Sequence, residues 1–332
     1  MNKLKVGVIG TGAMGRHHVR IYDSLSHEVK LIGIFDNNKT IGNAIATQFN
    51  IKFFDQLDEL LNECDAVSIA VPTIYHHEIA KRALELNTHI LIEKPIASSI
   101  SEAINIMSLS DSKQLIVQVG HIERFNPAIV ELNKLQNSQK TIGIDIKRLS
   151  PYNGRITDVD VVQDLMIHDI DIVLSFFNKS INDISSINAF GKSVFSHNNL
   201  IDYAVASIQF DNGIIANLTA SRVTQEKIRK LCLTTDDSYI DLDYIDKKIS
   251  IYQWTNMHES VDSTATYKQE SVVSRVFVPN EEPLLNEIKS FINCVRLNKS
   301  PVVSAYDGLK ALEVCEKIRE NININLKTPV SI

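Results

Sequence analysis

Short apolar runs recur through the first part of the chain, at residues 5–10, 29–36, 51–54, 66–72, 89–93 and 115–120. Each has the length of a strand, and the stretches between most of them space their apolar positions as helices do. Ala66-Val67-Ser68-Ile69-Ala70-Val71-Pro72 is apolar almost throughout, as a strand covered on both faces must be. This alternation predicts a doubly wound parallel sheet. The pattern changes after residue 121. A helix over 126–137, a strand over 142–149 and a long helix over 158–177 come first, and short strands then dominate from 184 to 279. Val205 to Phe210, Asp211-Asn212-Gly213 and Ile214 to Thr219 read as a hairpin around a strong turn signal. Asp236-Asp237 and Asp246-Lys247-Lys248 mark further turns. The prediction is an α/β chain: a first domain over 1–121, and a second, α+β, over 122–332. The second carries an open, mostly antiparallel sheet and closing helices over 282–297 and 306–321. An open sheet leaves one face to cover, so a homodimer or homotetramer through that sheet is expected.

The first two strands flank a motif with chemistry in it. Lys5-Val6-Gly7-Val8-Ile9 runs directly into Gly10-Thr11-Gly12-Ala13-Met14-Gly15, a helical pattern begins there, and the next strand ends in Asp36. Strand, GxGxxG, helix, strand and acid together form a dinucleotide-binding fingerprint. Gly10 permits the tight turn, Gly12 lets the backbone approach a pyrophosphate, and Gly15 lets the helix pack on the strand. Thr11, Ala13 and Met14 share that loop, and the helix N-terminus offers free N–H groups to phosphate. Asp36 stands 21 residues after Gly15, placed to accept from adenosine ribose hydroxyls and to repel a 2′-phosphate. Asn37-Asn38 supply no offsetting cation, so NAD is favoured over NADP, with Lys39 as the opposing sign. The ends of the later strands line the same crevice in such a sheet. Val71, Pro72, Thr73, His76 and Glu93 are therefore cofactor-binding candidates.

Composition narrows the partners. The chain has 332 residues, enough for two sizeable cores, and a net charge of −6. No basic stripe is available to replace counterions, which argues against nucleic acid. The 4 cysteines show no metal-ligand spacing and read as reduced thiols of a cytoplasmic protein. A strand begins within five residues of Met1, leaving no room for a signal peptide. No apolar stretch reaches the roughly 20 residues that span a bilayer, so no membrane partner is expected.

Three further segments carry candidate chemistry. Glu93-Lys94-Pro95 closes the fifth strand, where Lys94 would sit beside a nicotinamide and could hydrogen-bond a substrate hydroxyl. Asp164 and His168 are four apart on a helix otherwise crowded with apolar residues, and Asp160 and Asp171 extend the stripe. An imidazole oriented by a carboxylate is what a general base for alcohol oxidation requires. A solvated helix face and a metal site with His121 and Glu123 are the competing readings of that spacing. Gly120-His121-Ile122-Glu123-Arg124-Phe125-Asn126-Pro127 bridges the two domains, making His121, Arg124 and Asn126 candidates for substrate contact, or else parts of a charged hinge.

The fingerprint, Glu93-Lys94-Pro95, Asp164-xxx-His168 and the closing Asp307-Gly308-Leu309-Lys310-Ala311-Leu312 together resemble the Gfo/Idh/MocA oxidoreductases over nearly the whole chain. The resemblance implies a Rossmann domain followed by an open-sheet domain, and sugars, sugar nucleotides or cyclitols as substrates. It also implies a cis peptide bond between Lys94 and Pro95, a substrate-positioning role for Asp164 and a catalytic role for His168, no metal being called for. Residues 120–127 and the segment from Arg155 to Asp171 resemble the subgroup that oxidises UDP-N-acetylglucosamine at C3, ahead of a transaminase in making a diamino sugar of lipid A. Arg124 and Arg155 are then candidates for the diphosphate, or else ion-pair partners. Another sugar, a UDP-hexosaminuronate or an inositol would be the alternative substrate. A non-catalytic NAD-binding sensor is the alternative from another class.

Overall fold

β1 (Leu4–Ile9) lies inside a six-stranded parallel sheet with β2 (Val29–Phe35), β3 (Lys52–Phe53), β4 (Ala66–Ile69), β5 (His89–Glu93) and β6 (Val117–Gly120). The order β3-β2-β1-β4-β5-β6 reverses direction at β1 and β4, which opens a crevice at their carboxyl ends. This is a computed structural model, and it describes residues 3–135, 141–152, 159–195, 200–254 and 271–327. Arg155 lies outside the described residues.

The chain divides into two compact units: residues 1–125 with 281–313, and residues 126–280 with 314–332. In the first, α1 (Ala13–Ser24), α2 (Lys39–Phe49), α3 (Leu57–Glu63), α4 (His76–Glu85) and α5 (Ile100–Lys113) link the strands. Leu60, Leu61, Ala80, Leu84, Ala103 and Ile106 pack with Ile69, Ile90 and Ile92 in one core. Val19, Ile21 and Tyr22 of α1 pack with Val6, Val8 and Leu91 in the other. Asn38 caps α2, its side chain accepting from the Ile41 N–H at 3.2 Å. Asn50 (φ 52°), Asn87 (φ 60°) and Asn298 (φ 47°) end their helices in the left-handed region, the role asparagine fills where glycine is absent.

The sequence pattern assigned everything after residue 121 to the second domain, and here the structure differs. α8 (Pro283–Leu297) completes the first unit. Its stripe of Leu284, Ile288, Phe291 and Ile292 is buried in the core that holds Tyr22, Leu91 and Ile116. An apolar stripe must be covered, and the α1 side of the parallel sheet supplies the matching surface. α9 (Ala305–Lys327) is divided at residue 313 between the two units.

The second unit holds α6 (Pro127–Leu135) and an eight-stranded sheet in the order β14-β13-β12-β11-β7-β10-β9-β8. Its strands are β7 (Thr141–Leu149), β8 (Ile184–Lys192), β9 (Tyr203–Phe210), β10 (Ile215–Ser221), β11 (Ile228–Thr235), β12 (Ser238–Asp243), β13 (Lys248–Trp254) and β14 (Ser271–Val276). Pairing is antiparallel except between β7 and β10, as the pattern predicts. Gly213 makes the β9–β10 turn at φ +86°. α7 (Ile167–Phe176) packs on β7 and β10. Tyr203, Ile215, Tyr239 and Tyr252, from four other strand positions, stay exposed. Among the described residues no helix is long and apolar enough to cross a membrane.

Candidate active site

The β1–α1 turn shows why each glycine is there. Gly10 adopts φ +84°, and a Cβ on it would lie 2.6 Å from the Ala70 carbonyl oxygen. A Cβ on Gly15 would stand 1.9 Å from the Gly10 oxygen, so α1 can meet β1 only through a glycine. Gly12 differs: a Cβ there would meet nothing within 4 Å. The protein itself does not require that glycine, whereas a pyrophosphate approaching the backbone does. α1 begins at Ala13 with no acidic residue in its first turn and no side-chain cap on its N–H groups, which leaves that terminus suited to an anion.

Asp36, at the end of β2, is held from two loops. Its Oδ2 accepts from the Thr11 N–H at 2.6 Å and the Thr11 hydroxyl at 2.7 Å, and its Oδ1 accepts from the Asn38 N–H at 2.7 Å. Lys39, three residues after Asp36, is paired with Asp55 at 2.7 Å. Gly10, Gly12, Asp36, Asn38, Val71 and Pro72 line an open cleft of about 540 Å³, with Tyr75 and Ile79 on its wall. His76 is buried beside it. Its ring nitrogens lie 2.8 Å from the Pro95 carbonyl and 3.0 Å from the Val71 carbonyl. It therefore ties the β4 and β5 ends together, and burial lowers its pKa against the pull of those carbonyls. Thr73 opens the turn that leads into α4.

Lys94 follows β5, and its bond to Pro95 is cis. Behind it lies a buried polar cluster that the sequence reading missed. The carboxylate of Glu93 can only accept, so the 3.0 Å contact from His18 assigns a hydrogen to Nε2. His18 Nδ1 is 3.0 Å from the Ser68 hydroxyl, which is 2.9 Å from that of Tyr22. A chain of donation running Tyr22, Ser68, His18, Glu93 satisfies every member. Burial opposes the charge on Glu93, but the His18 hydrogen bond and the nearby His18, Lys94 and His76 outweigh it, and the carboxyl lies below its ordinary range. A Cβ on Gly120 would stand 3.1 Å from Glu93 Oε2, so the glycine beside it on β6 makes room for the acid. Glu287 reaches the cluster from α8, with 0% exposure. The one available signal was an acid inside the stripe Leu284, Ile288, Phe291.

In the second unit, the described part of the expected helix over 158–177, residues 159–177, is not one continuous helix. Val162–Met166 is a π-helical turn, in which Ile167 N–H bonds to Val162 O, and α7 follows from Ile167. Such a turn is frequent at functional positions. It carries Asp164, and His168 stands at the second position of α7; both are partly exposed. Asp160 and Asp171 are only 3% and 2% exposed, so the competing reading of a solvated helix face does not hold for them. Asp160 instead caps the turn, accepting from the Val162 and Gln163 N–H groups at 2.9 and 3.1 Å, and pairs with Arg319 at 2.6 Å. Asp169, next to His168, forms a buried pair with Arg148 of β7 through contacts of 2.7, 2.9 and 3.0 Å.

The segment 120–127 is less open than its composition suggests. His121 is buried, and Asn126 caps α6 by accepting from the Ala128 N–H at 3.1 Å. Arg124 faces Asp307 at 3.6 Å, the ion-pair reading of that residue. Among the described residues no three His, Cys, Asp or Glu side chains are grouped to hold a metal.

The sheet order, the glycine turn and the bare α1 terminus define the first unit as a dinucleotide-binding Rossmann fold. Residues 4–121 match the oxidoreductase family with an NAD-binding Rossmann fold, and residues 150–237 match the GFO/IDH/MocA C-terminal domain. UDP-N-acetylglucosamine 3-dehydrogenase of Acidithiobacillus ferrooxidans is 30% identical over 319 residues, 96% of this chain and 97% of that protein. The NAD(+)-dependent scyllo-inositol 2-dehydrogenase of Bacillus subtilis is 25% identical, covering 94% and 92%. A solved structure of the Acidithiobacillus enzyme matches with a TM-score of 0.88 at 29% identity, over 98% of this chain and 100% of that one. The chain belongs to the GFO/IDH/MocA family of oxidoreductases.

Proposed function

We propose that the protein oxidises C3 of UDP-N-acetylglucosamine to a ketone with NAD⁺, giving a product that a transaminase can take. The observation that carries this reading is the likeness to UDP-N-acetylglucosamine 3-dehydrogenase across almost the full length of both chains. Bound NAD⁺ supplies the hydride acceptor. The carboxylate of Asp36 accepts from the adenosine ribose hydroxyls and repels a 2′-phosphate, and the engagement of Lys39 by Asp55 favours NAD over NADP. His168 takes the hydroxyl proton as general base, and Asp164 orients the sugar. Lys94 hydrogen-bonds the reacting oxygen and stabilises its developing negative charge. Arg155 is our candidate for the diphosphate, since a guanidinium fork suits phosphate oxygens. The inositol relative supports a cyclitol as the second reading. A sensor would need the cofactor loop without Lys94, Asp164 and His168, all of which are present.

Purified protein with NAD⁺, UDP-N-acetylglucosamine and a transaminase with glutamate tests this by NADH absorbance. NADH should appear with this sugar, more slowly or not at all with NADP⁺, and disappear in His168→Asn while NAD⁺ affinity stays near wild type. NADH with an inositol alone would sink the sugar-nucleotide reading, and full activity of His168→Asn would remove it as the base.

Association of copies through the exposed Tyr203, Ile215, Tyr239 and Tyr252 face belongs to the same reading. Sedimentation should report a dimer or tetramer, and Tyr239→Lys combined with Tyr252→Lys should shift it toward monomer. A wild-type monomer at micromolar concentration would end that part of the proposal.

A further inference from the structure

The polar cluster behind Lys94 contains two carboxyl groups but donors for only one. Glu93 Oε1 takes the hydrogen of His18 Nε2. Neither oxygen of Glu287 meets a hydrogen-bond partner among the described residues, although the side chain is wholly buried. Its neighbour Gln118, equally buried, spends its Nε2 on the Glu287 backbone carbonyl at 3.0 Å, leaving Oε1 with no partner either. An ionised carboxylate in that setting would be a bare buried charge, and such a group takes a proton instead. A neutral carboxyl suits the site, because a buried water can accept its hydrogen and donate to Gln118 Oε1.

We infer that Glu287 is held protonated and acts as a positioning residue for the Glu93–Lys94 strand end. With Glu287 neutral, the negative charge of the cluster stays on Glu93, where His18 binds it. Lys94 then follows a strand end that carries a single negative charge, that of Glu93. With both acids ionised, two negative charges would share the buried end of β5. Burial first, and the charge of Glu93 second, raise the Glu287 pKa well above its ordinary value. The other titratable groups around the pair are His18 and Tyr22 of α1, Lys94 beyond β5 and His76 of α4. The protonation claim stands on the cluster alone, and the positioning claim rests on the role proposed above for Lys94.

Infrared spectroscopy of the protein without cofactor or substrate reads the proton directly. A protonated-carboxyl stretch should be present at neutral pH and lost in Glu287→Gln and in Glu287→Met, two neutral replacements of similar shape, either of which suffices if the other fails to fold. No such band in the folded wild type would overturn the proposal. The second readout is the pH profile of NADH affinity, and of turnover where a substrate is found. Both should fall about tenfold in the wild type as Glu287 ionises in alkali, the scale of one lost charge-assisted contact. Glu287→Gln should remove that limb and rescue the alkaline value. Superimposable profiles would make Glu287 a merely structural acid. A wild type that binds NADH but oxidises no sugar would sink the dehydrogenase reading while leaving the infrared result in force.

Discussion

Two glycines three residues apart illustrate how differently one residue type can be used. Gly15 answers a demand of the fold, since any Cβ would strike the Gly10 carbonyl at 1.9 Å, whereas Gly12 has open space around it. Gly15→Ala should therefore destabilise the protein by about 1–3 kcal/mol or more. Gly12→Ala should leave the melting temperature near wild type and weaken NAD⁺ binding. Thermal melting and a cofactor titration on both variants check this, and equal loss of stability in the two would refute the distinction. The glycines and Asp36 were legible because their jobs depend on spacing along the chain. His18 and Glu287 were not, because nothing local to either residue shows that they meet at Glu93. Arg124 was legible as a cation but not as the neighbour of Asp307, for the same reason.

A single element, the segment from Asp160 to Phe176, shows what periodicity can and cannot reveal. Its dense apolar content announces a buried helix. The π turn over Val162–Met166 leaves no mark in that content, because a wider turn changes where side chains project and not which residues are present. The acids are the informative residues, and each has its own use. Asp160 caps and Asp169 pairs, while Asp164 and His168 stay accessible. Arg148→Met would take the guanidinium away from the buried Asp169 carboxylate beside His168, at a cost of about 3–5 kcal/mol. Adding Asp169→Leu should recover most of that stability, because an apolar pair can replace a buried ionic one. Urea denaturation of the two single variants and the double variant measures the coupling. Strict additivity would mean that the pair does not hold the element.

For the molecule as a whole, the two buried acids push stability in opposite directions along the pH axis. Glu287 has a raised pKa in the folded state, so the folded chain keeps a proton that the unfolded chain releases above about pH 4.3. Its contribution is complete below that value and is lost as pH rises toward the folded pKa. Glu93 has a lowered pKa, so its contribution is present above the unfolded value and is lost as pH falls through the folded one. The melting temperature of Glu287→Gln relative to wild type should therefore climb with pH from the acid side upward. A difference independent of pH would contradict the assignment. Both sheets and their main strand directions follow from apolar patterning. The assignment of α8 does not, because an amphipathic stripe declares only that it needs a partner surface and not which one.

That assignment has a consequence for how the protein is made. The ribosome makes the glycine turn before α8, and all of residues 126–280 come between them. Until Leu284, Ile288, Phe291 and Ile292 emerge, the α1 side of the parallel sheet lacks part of its core, and His18 and Glu93 lack Glu287. Contacts this distant along the chain close slowly. The nascent dinucleotide unit must then wait, with an apolar face exposed, until α8 has been made. Chaperone engagement should fall within that interval, and cofactor capture should follow it.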